Sequence, residues 1–463
     1  MNYQDFLSRK VISNIDTGFC VDSLSLNEKL FEWQKDVTSW SLKKGRCALF
    51  EDCGLGKSLQ QLEWSNQVVN YTGGNVLILA PLAVSGQTVK EGEKFGIAVN
   101  ICRTQNDVKP GINITNYEML HHFDASKFTG VVLDESSILK GMNSKTRIAI
   151  TESFLNTPYK LACTATPAPN DYMELGNHAE FLGVMKRSEM LAMFFVHDGG
   201  ETSKWRVKGH AEQRFWEWVS SWAVVIRKPS DLGYEDGGFT LPKLNINQIT
   251  VKTEQPIEGM LFAVEAKTLR ERQAARKSSI ADRVAKCAEL VNGSDESWIV
   301  WCNLNDESTA LKKAIVGSVE VRGSDSSDHK EKAIADFISG DVKILISKPS
   351  IFGFGLNLQH CRNIAFVGLS DSYEAYYQAV RRCWRFGQKN EVNVHIITAN
   401  TEGAVVANIE RKERDAMAMI NEMVKYTQNI TSAEVRGTKR EQTDYLPNTN
   451  AIIPLWLGVA SNG

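Results

Sequence analysis

The sequence predicts an α/β protein built from two parallel, doubly wound sheets. Three observations carry that expectation. Short apolar runs recur without the polar alternation of a half-exposed strand, the pattern of strands covered on both faces. Amphipathic helical periods fall between them, as in residues 58–69 and 330–338, so strands and helices alternate as βαβ units. The runs also form two sets, separated by a long stretch of different character from about Asn170 to Asp295.

The first set lies at residues 46–50, 75–80, 130–135 and 159–166, the second at 297–303, 342–347, 363–369 and 392–399. Between them the chain turns aromatic and charged, with Phe194, Phe195, Trp205, Phe215, Trp216, Trp218 and Trp222. A turn-rich segment at 231–243, ending Leu241-Pro242-Lys243, is expected to be the hinge. Residues 267–277 carry Lys267, Arg270, Arg272, Arg276 and Lys277, which fit a solvated helix face more readily than a nucleic-acid contact. Beyond Lys425 the pattern becomes polar and irregular. The expected layout is an N-terminal segment (1–28), a first lobe (29–230) with an aromatic-rich insertion (about 171–228), a linker (231–250), a second lobe (251–425) and a tail (426–463). There is no internal repeat and no low-complexity block.

Composition agrees with globular domains. The 463 residues are 43% hydrophobic and 23% charged, and 53 Lys+Arg against 55 Asp+Glu leave a net charge of −2. This excludes a collagen-like chain, a disordered chain and a small disulfide scaffold. It also excludes a polybasic nucleic-acid binder, though not a local basic groove. No apolar run approaches the ~20 residues that cross a bilayer, and no membrane association is expected. The first twenty residues mix charged and polar side chains, so no secretory signal is expected. Nine cysteines (20, 47, 53, 102, 163, 287, 302, 361 and 383) form no Cys-x-x-Cys pair. Reduced thiols in an intracellular protein, without a zinc site, are the expectation.

The first chemical signal is Glu51-Asp-Cys-Gly54-Leu-Gly56-Lys57-Ser58, directly after an apolar run and opening a helical period. A strand–loop–helix of this kind aims backbone N–H groups and a helix N-terminus at a phosphate chain. Lys57 would pair with the β- and γ-phosphates and Ser58 would hold Mg²⁺. The strict eight-residue pattern starts with Gly, a place that Glu51 takes here. Further on, Gly130-Val-Val-Leu-Asp134-Glu135 is an apolar run ending in two carboxylates. Alternation along a strand would point them differently, Asp134 toward the metal and Glu135 toward the attacking water. Alone, such a dipeptide reads as a helix cap or a solvated edge; the phosphate loop upstream changes its meaning. Gln34, in Leu30-Phe31-Glu32-Trp33-Gln34, offers an amide donor and acceptor that suit an adenine edge.

These motifs, in this order, resemble the superfamily-2 nucleic-acid-dependent ATPases, and within them the Swi/Snf-type translocases. Also matching are Leu77-Ile-Leu-Ala-Pro81-Leu-Ala-Val-Ser85, Ile114-Thr115-Asn116-Tyr117-Glu118 and Cys163-Thr164-Ala165-Thr166-Pro167 with Asn170. In the second half the similar segments are Gly323-Ser324-Asp325-Ser326, Ser347 with Gly353-Phe-Gly355-Leu-Asn357-Leu358, and Gln378-Ala-Val-Arg381-Arg382-Cys-Trp384-Arg385-Phe-Gly387-Gln388. An acidic residue at position 51 is normal in that family, which removes the mismatch in the loop. The chain departs from the family at Trp384, where His is preferred, at Arg381, where Asp is preferred, and at Asp134-Glu135-Ser-Ser.

The resemblance implies two tandem RecA-like lobes with ATP between them and Mg²⁺ as the metal. Phe31, Gln34, Gly54, Gly56, Lys57, Ser58, Gly353 and Gln378 would bind the nucleotide, and Ser58 and Asp134 the Mg²⁺. Arg382 and Arg385 would join Lys57, Asp134 and Glu135 in catalysis, neutralising charge on the γ-phosphate when the lobes close. Pro81, Ser85, Thr115, Asn116, Asn303, Gly323, Ser324, Gly353, Gly355 and Asn357 would track a nucleic-acid backbone. Thr164, Thr166 and Gln388 would couple the two sites. The implied function is ATP-driven movement of a monomer along DNA, duplex rather than single-stranded, with RNA as another substrate class. A compact chain of this kind suits a viral or prophage genome. A strand-separating helicase, with the Trp-rich stretch as its wedge, stays open. So do a nucleotide-gated clamp or loader acting through a partner protein, and a phosphate-loop metabolite kinase.

Overall fold

The computed structural model describes residues 16–81, 84–141, 144–198, 201–253, 269–352 and 357–436. In chain order the strands are β1 (Arg46–Glu51), β2 (Asn75–Ala80), β3 (Val99–Ile101), β4 (Ile112–Asn116), β5 (Phe128–Asp134), β6 (Tyr159–Thr164), β7 (Phe195–Asp198), β8 (Glu201–Val207) and β9 (Ala223–Ile226). They continue with β10 (Leu244–Val251), β11 (Trp298–Cys302), β12 (Ser318–Glu320), β13 (Ile344–Ser347), β14 (Asn363–Val367) and β15 (Val392–Ala399).

Two sheets organise the chain, in the orders β3-β4-β2-β5-β6-β1-β9 and β10-β15-β14-β11-β13-β12. Every neighbouring pair in both is parallel, with registers such as Arg46↔Lys160 between β1 and β6 and Trp298↔Ile344 between β11 and β13. The expected fold class is therefore the observed one. Each sheet buries both faces, because alternate residues of one strand enter different cores. In β1, Ala48 and Phe50 face one core while Cys47 and Leu49 face the other. In β11, Ile299 and Trp301 separate in the same way from Trp298, Val300 and Cys302. All nine cysteines are free thiols, and all but Cys20 are buried.

Several expectations are corrected. The aromatic-rich stretch is not an appended insertion: β9 pairs with β1 in the first sheet, and Phe215, Trp216, Trp218 and Trp222 lie in the same core as Phe50 and Leu133. Trp216, Trp218 and Trp222 are buried there, so they form no strand-separating wedge. The linker is shorter than expected, since β10 begins at Leu244 and completes the edge of the second sheet. Residues 254–268 lie outside the described residues, and with them Lys267 of the expected basic helix. Within the helix Leu269–Ser278, Arg276 is buried and ion-paired with Asp371 at 3.5 Å rather than solvated.

The tail is also revised. Residues 426–435 complete one long helix, Gly403–Val435. Its first half contributes Val405, Ile409 and Ala416 to the second lobe, and its second half contributes Met423 and Val424 to the first. Tyr426 stacks on Trp216 with centroids 5.7 Å apart, and Trp40 Nε1 donates to Glu434 at 3.2 Å. Amphipathic residues on this helix find their apolar partners across the lobe boundary, which is why the local pattern looked irregular.

Candidate nucleotide site between the lobes

β1 ends at Glu51, and the next helix starts at Lys57 with Gly56 as its N-cap. Two glycines between them are required by shape. Gly54 (φ +90°) and Gly56 (φ +81°) are left-handed, where a Cβ is strained. A Cβ on Gly54 would meet the Phe386 ring at 2.8 Å, and one on Gly56 would collide with Gln34 Nε2. Lys57 Nζ donates to the carbonyls of Glu51 (2.7 Å) and Asp52 (3.0 Å), which holds it folded back over the loop. Gln34 Nε2 donates to the Leu55 carbonyl at 2.7 Å, and Oε1 accepts from the Phe31 amide at 3.0 Å. One N–H and one lone pair of that amide remain for a ligand.

β5 ends at Asp134 rather than continuing through Glu135. Glu135 takes φ +57°, the only non-glycine residue with positive φ among the described residues. A left-handed turn, not strand alternation, therefore separates the two carboxylates. Strain of this kind costs on the order of 1–3 kcal/mol and clusters at functional sites. Gln61 Nε2 donates to Asp134 Oδ1 at 2.9 Å, and the Tyr117 hydroxyl donates to the Asp134 carbonyl at 2.7 Å. Burial, and then the charge of Glu135, push the Asp134 carboxyl up to about 6. Ser136 Oγ and His178 Nε2 are hydrogen-bonded at 3.1 Å, and burial holds that imidazole down at about 4, so it is neutral.

The second lobe closes the site with the helix Tyr373–Val380 and the turn after it. Gln378 Nε2 donates to Glu135 Oε2 at 3.4 Å, Arg382 Nη2 lies 3.9 Å from Glu135 Oε1, and Arg381 is ion-paired with Asp52. Lys140 and Glu374 make a further ion pair across the seam. Gly54, Gly56, Lys57, Ser58, Asp134 and Glu135 line one cleft with Arg381, Arg382 and Arg385. The arginines thus face the glycine turn. Burial, and then the Arg382 charge beside it, bring the Arg385 guanidinium down to about 10. A lysine, converging guanidinium forks and a helix N-terminus suit a polyphosphate. A hydroxyl and a carboxylate, Ser58 and Asp134, are the hard oxygen donors that suit Mg²⁺ beside such an anion.

The other expected residues divide. Pro81 and Ser85 follow β2, and Asn116 ends β4 and accepts from the Met119 amide at 3.2 Å. Thr115, one residue before it in β4, is 2% exposed. Asn303 follows β11 and donates to the Gly368 carbonyl at 3.2 Å, while Gly323 and Ser324 are exposed beyond β12 and Asn357 lies beyond β13. These positions share the C-terminal edges of the parallel strands, where α/β sheets bind ligands. Gly353 and Gly355 lie outside the described residues. Thr164 and Thr166 are buried at the end of β6, joined by a 3.1 Å bond from the Thr166 amide to Thr164 Oγ1. Gln388 donates to the carbonyls of Gln359 (2.7 Å) and Cys361 (3.2 Å), so its amide is engaged within the second lobe.

Sequence reading missed Gln61, Tyr377 and the cleft wall supplied by Gln87 and Glu91. Gln87 and Glu91 sit one turn apart on the helix Ser85–Phe95, a face readable only once that helix is docked.

Residues 33–194 match the SNF2-related domain, and residues 282–387 match the helicase conserved C-terminal domain. Together they span more than half of the chain and divide at the seam between the lobes. The chain belongs to the Swi/Snf type of superfamily 2. Its SNF2-related part holds the phosphate loop, Asp134 and Glu135, and its helicase C-terminal part holds Arg382 and Arg385. Among curated relatives, the mouse (Mus musculus) "DNA annealing helicase and endonuclease ZRANB3" is 20% identical over 86% of this chain and 41% of its own length. The "SWI/SNF-related matrix-associated actin-dependent regulator of chromatin subfamily A-like protein 1" of Xenopus tropicalis is 23% identical over 84% and 44%. The chain thus spans about two-fifths of the length of these relatives. The solved "Sulfolobus solfataricus SWI2/SNF2 ATPase core in complex with dsDNA" covers 90% of this chain and 98% of its own at 18% identity and a TM-score of 0.42, too low an overlap to equate the two folds. No described helix is long and apolar enough to cross a membrane.

Proposed function

We propose that this Swi/Snf-type chain is a nucleic-acid-dependent ATPase that uses hydrolysis between its lobes to move along DNA. One observation carries the reading: the phosphate loop and Asp134–Glu135 of one lobe share a single cleft with Arg382 and Arg385 of the other. Neither half alone has both a phosphate cradle and the charges that neutralise a leaving phosphate.

In this reading Lys57 Nζ pairs with the β- and γ-phosphates. Gln34 meets the base with the amide valences left to it, beside Phe31. Ser58 and Asp134 hold Mg²⁺, which when bound neutralises charge on the β- and γ-phosphates. Glu135 takes the proton of the attacking water, once nucleotide separates it from Gln378 and Arg382. Arg382 and Arg385 stabilise the charge that develops on the γ-phosphate, a contribution of ~10³–10⁵ in rate for arginines so placed. Closing and reopening then moves Pro81, Ser85 and Asn116 relative to Asn303, Ser324 and Asn357, small polar groups suited to backbone tracking without sequence readout. Thr164 and Thr166, at the end of β6, would carry the change between the two sites.

Duplex DNA is favoured over single strands. The ZRANB3 relative is by name a DNA annealing helicase, and the Trp-rich segment is committed to a core. The protein would act as a monomer inside the cell, a compact form suited to a viral or prophage genome. The deciding experiment compares ATP turnover with no polynucleotide, duplex DNA, single-stranded DNA and RNA. Strong stimulation by duplex without strand separation is the expected result. Unwinding would make it a helicase; stimulation by no polynucleotide would point to a nucleotide-gated clamp and overturn the reading.

A further inference from the structure

Asp52, at the mouth of the phosphate loop, and Arg381, in the second lobe, form an ion pair whose side chains are 10% and 1% exposed. Asp52 Oδ1 also accepts from the Tyr377 hydroxyl at 2.7 Å and from the Cys53 amide at 2.6 Å. The Arg381 guanidinium lies 4.5 Å from the Trp384 ring centroid and 5.2 Å from that of Tyr377. Trp384 Nε1 in turn donates to the Pro242 carbonyl in the linker at 2.7 Å. One charge pair therefore joins the first lobe, the second lobe and the segment between them.

Stability alone does not explain this arrangement. Arg381 Nε and Nη1 are buried without an acceptor, and a buried pair is often no more stable than apolar residues of the same volume. Its charge is also of the same sign as Arg382 and Arg385 in the same cleft. What such a pair supplies is direction: a planar fork meets a carboxylate in few orientations. Asp52 begins the turn that contains Gly54, and Arg381 immediately precedes Arg382. A shift of the pair is thus a shift of the arginines over the glycine turn, where a 1 Å misplacement costs about 10²-fold in rate.

We propose that Asp52 and Arg381 are positioning residues that set the register of lobe closure, placing Arg382 and Arg385 over the phosphate loop and governing turnover rather than nucleotide affinity. This rests on the ATPase reading above. Trp384 and Tyr377 hold the guanidinium flat so that it meets Asp52 in one orientation.

The test uses the full chain as D52N, R381Q, R381K and D52N/R381Q, with turnover on duplex DNA and equilibrium binding of a fluorescent, non-hydrolysable ATP analogue. Each single neutral variant should lower kcat by about 10-fold or more, with analogue affinity within about 3-fold. The double variant should be no slower than the worse single, because both changes remove one interaction. Losses that multiply, or that fall on affinity, overturn the proposal. R381K keeps the buried charge and so guards against misfolding; kcat at the wild-type level in R381K also overturns it. Should the wild type show no turnover, the ATPase reading fails, and hydrogen exchange still reads the pair. Exchange at residues 53–56 and 381–385 should rise together in R381Q, and unchanged exchange would reject the register role.

Discussion

Gln378 of the second lobe donates to the Glu135 carboxylate of the first at 3.4 Å, so the proposed base is engaged by the opposite lobe. Glu135 is also the one described non-glycine residue with positive φ. Its carboxylate is held at the seam by backbone strain on one side and by Gln378 and Arg382 on the other. Replacing Glu135 by Gln keeps the shape but removes the base. ATP binding should persist while turnover falls by about 10²-fold or more. Measured single-turnover hydrolysis within a few fold of wild type would show that Glu135 does not take the proton.

Arg382 and Arg385 belong to the cleft but not to the phosphate loop. R385A should bind ATP with affinity near that of the wild type and lose about 10³-fold in DNA-stimulated kcat. Nucleotide titration alongside steady-state rates separates the two effects. Lost affinity with retained kcat would assign Arg385 to ground-state binding.

Gly56 is confined twice, by its left-handed φ and by Gln34 Nε2. G56A should lower stability by about 1–2 kcal/mol, the cost of a Cβ in that conformation. It should also displace the Gln34 amide and weaken ATP binding. Thermal melting with and without ATP reads both, and a wild-type melting shift with ATP would show that Gln34 does not contribute to the base site.

Glu51 is wholly buried at the end of β1 and accepts from Gln60 Nε2 at 2.8 Å. Burial raises its carboxyl to about 7, against the opposing pull of Lys57 and Gln60. A carboxyl with a folded pKa above its unfolded value binds more protons when folded. Its favourable contribution is therefore complete below about 4.5 and lost as pH rises toward about 7. E51Q should remove this dependence. Its melting temperature relative to wild type should climb between pH 5 and pH 7.5, by an amount equivalent to at most about 3 kcal/mol. Parallel pH profiles for the two proteins would place Glu51 in a more polar setting.

Met423 tests the long helix. It is fully buried in the first lobe although its helix begins in the second. M423A should cost about 2–4 kcal/mol, as for other buried Met-to-Ala changes. A cost below about 0.5 kcal/mol, the range of surface changes, would mean that the helix end does not pack there.

Much of the fold was legible because it is local. Most of the runs that became β1, β2, β5, β6, β11, β13, β14 and β15 are apolar nearly throughout, and a strand buried on both faces announces itself that way; β15, with Asn393 and His395, alternates over its first half. Strands read less well where burial is partial. β12 is three residues long, and β10, at an edge, has mostly exposed or half-exposed residues, so it merged with the linker. β9 was visible as an apolar run, but nothing local says that it lies beside β1. The helix beyond Lys425 was lost because its partners, Trp216 and Trp40, lie in the other lobe.

The phosphate loop, the two carboxylates and the arginine-rich turn were set by sequence alone, since each is a short segment whose residue types and spacing carry its chemistry. Their meeting was decided only by tertiary structure. Asp52 and Arg381 are 329 residues apart, and no propensity or period relates them. They meet because two sheets, each buried by its own helices, dock along one seam, where buried charges are tolerated only when paired.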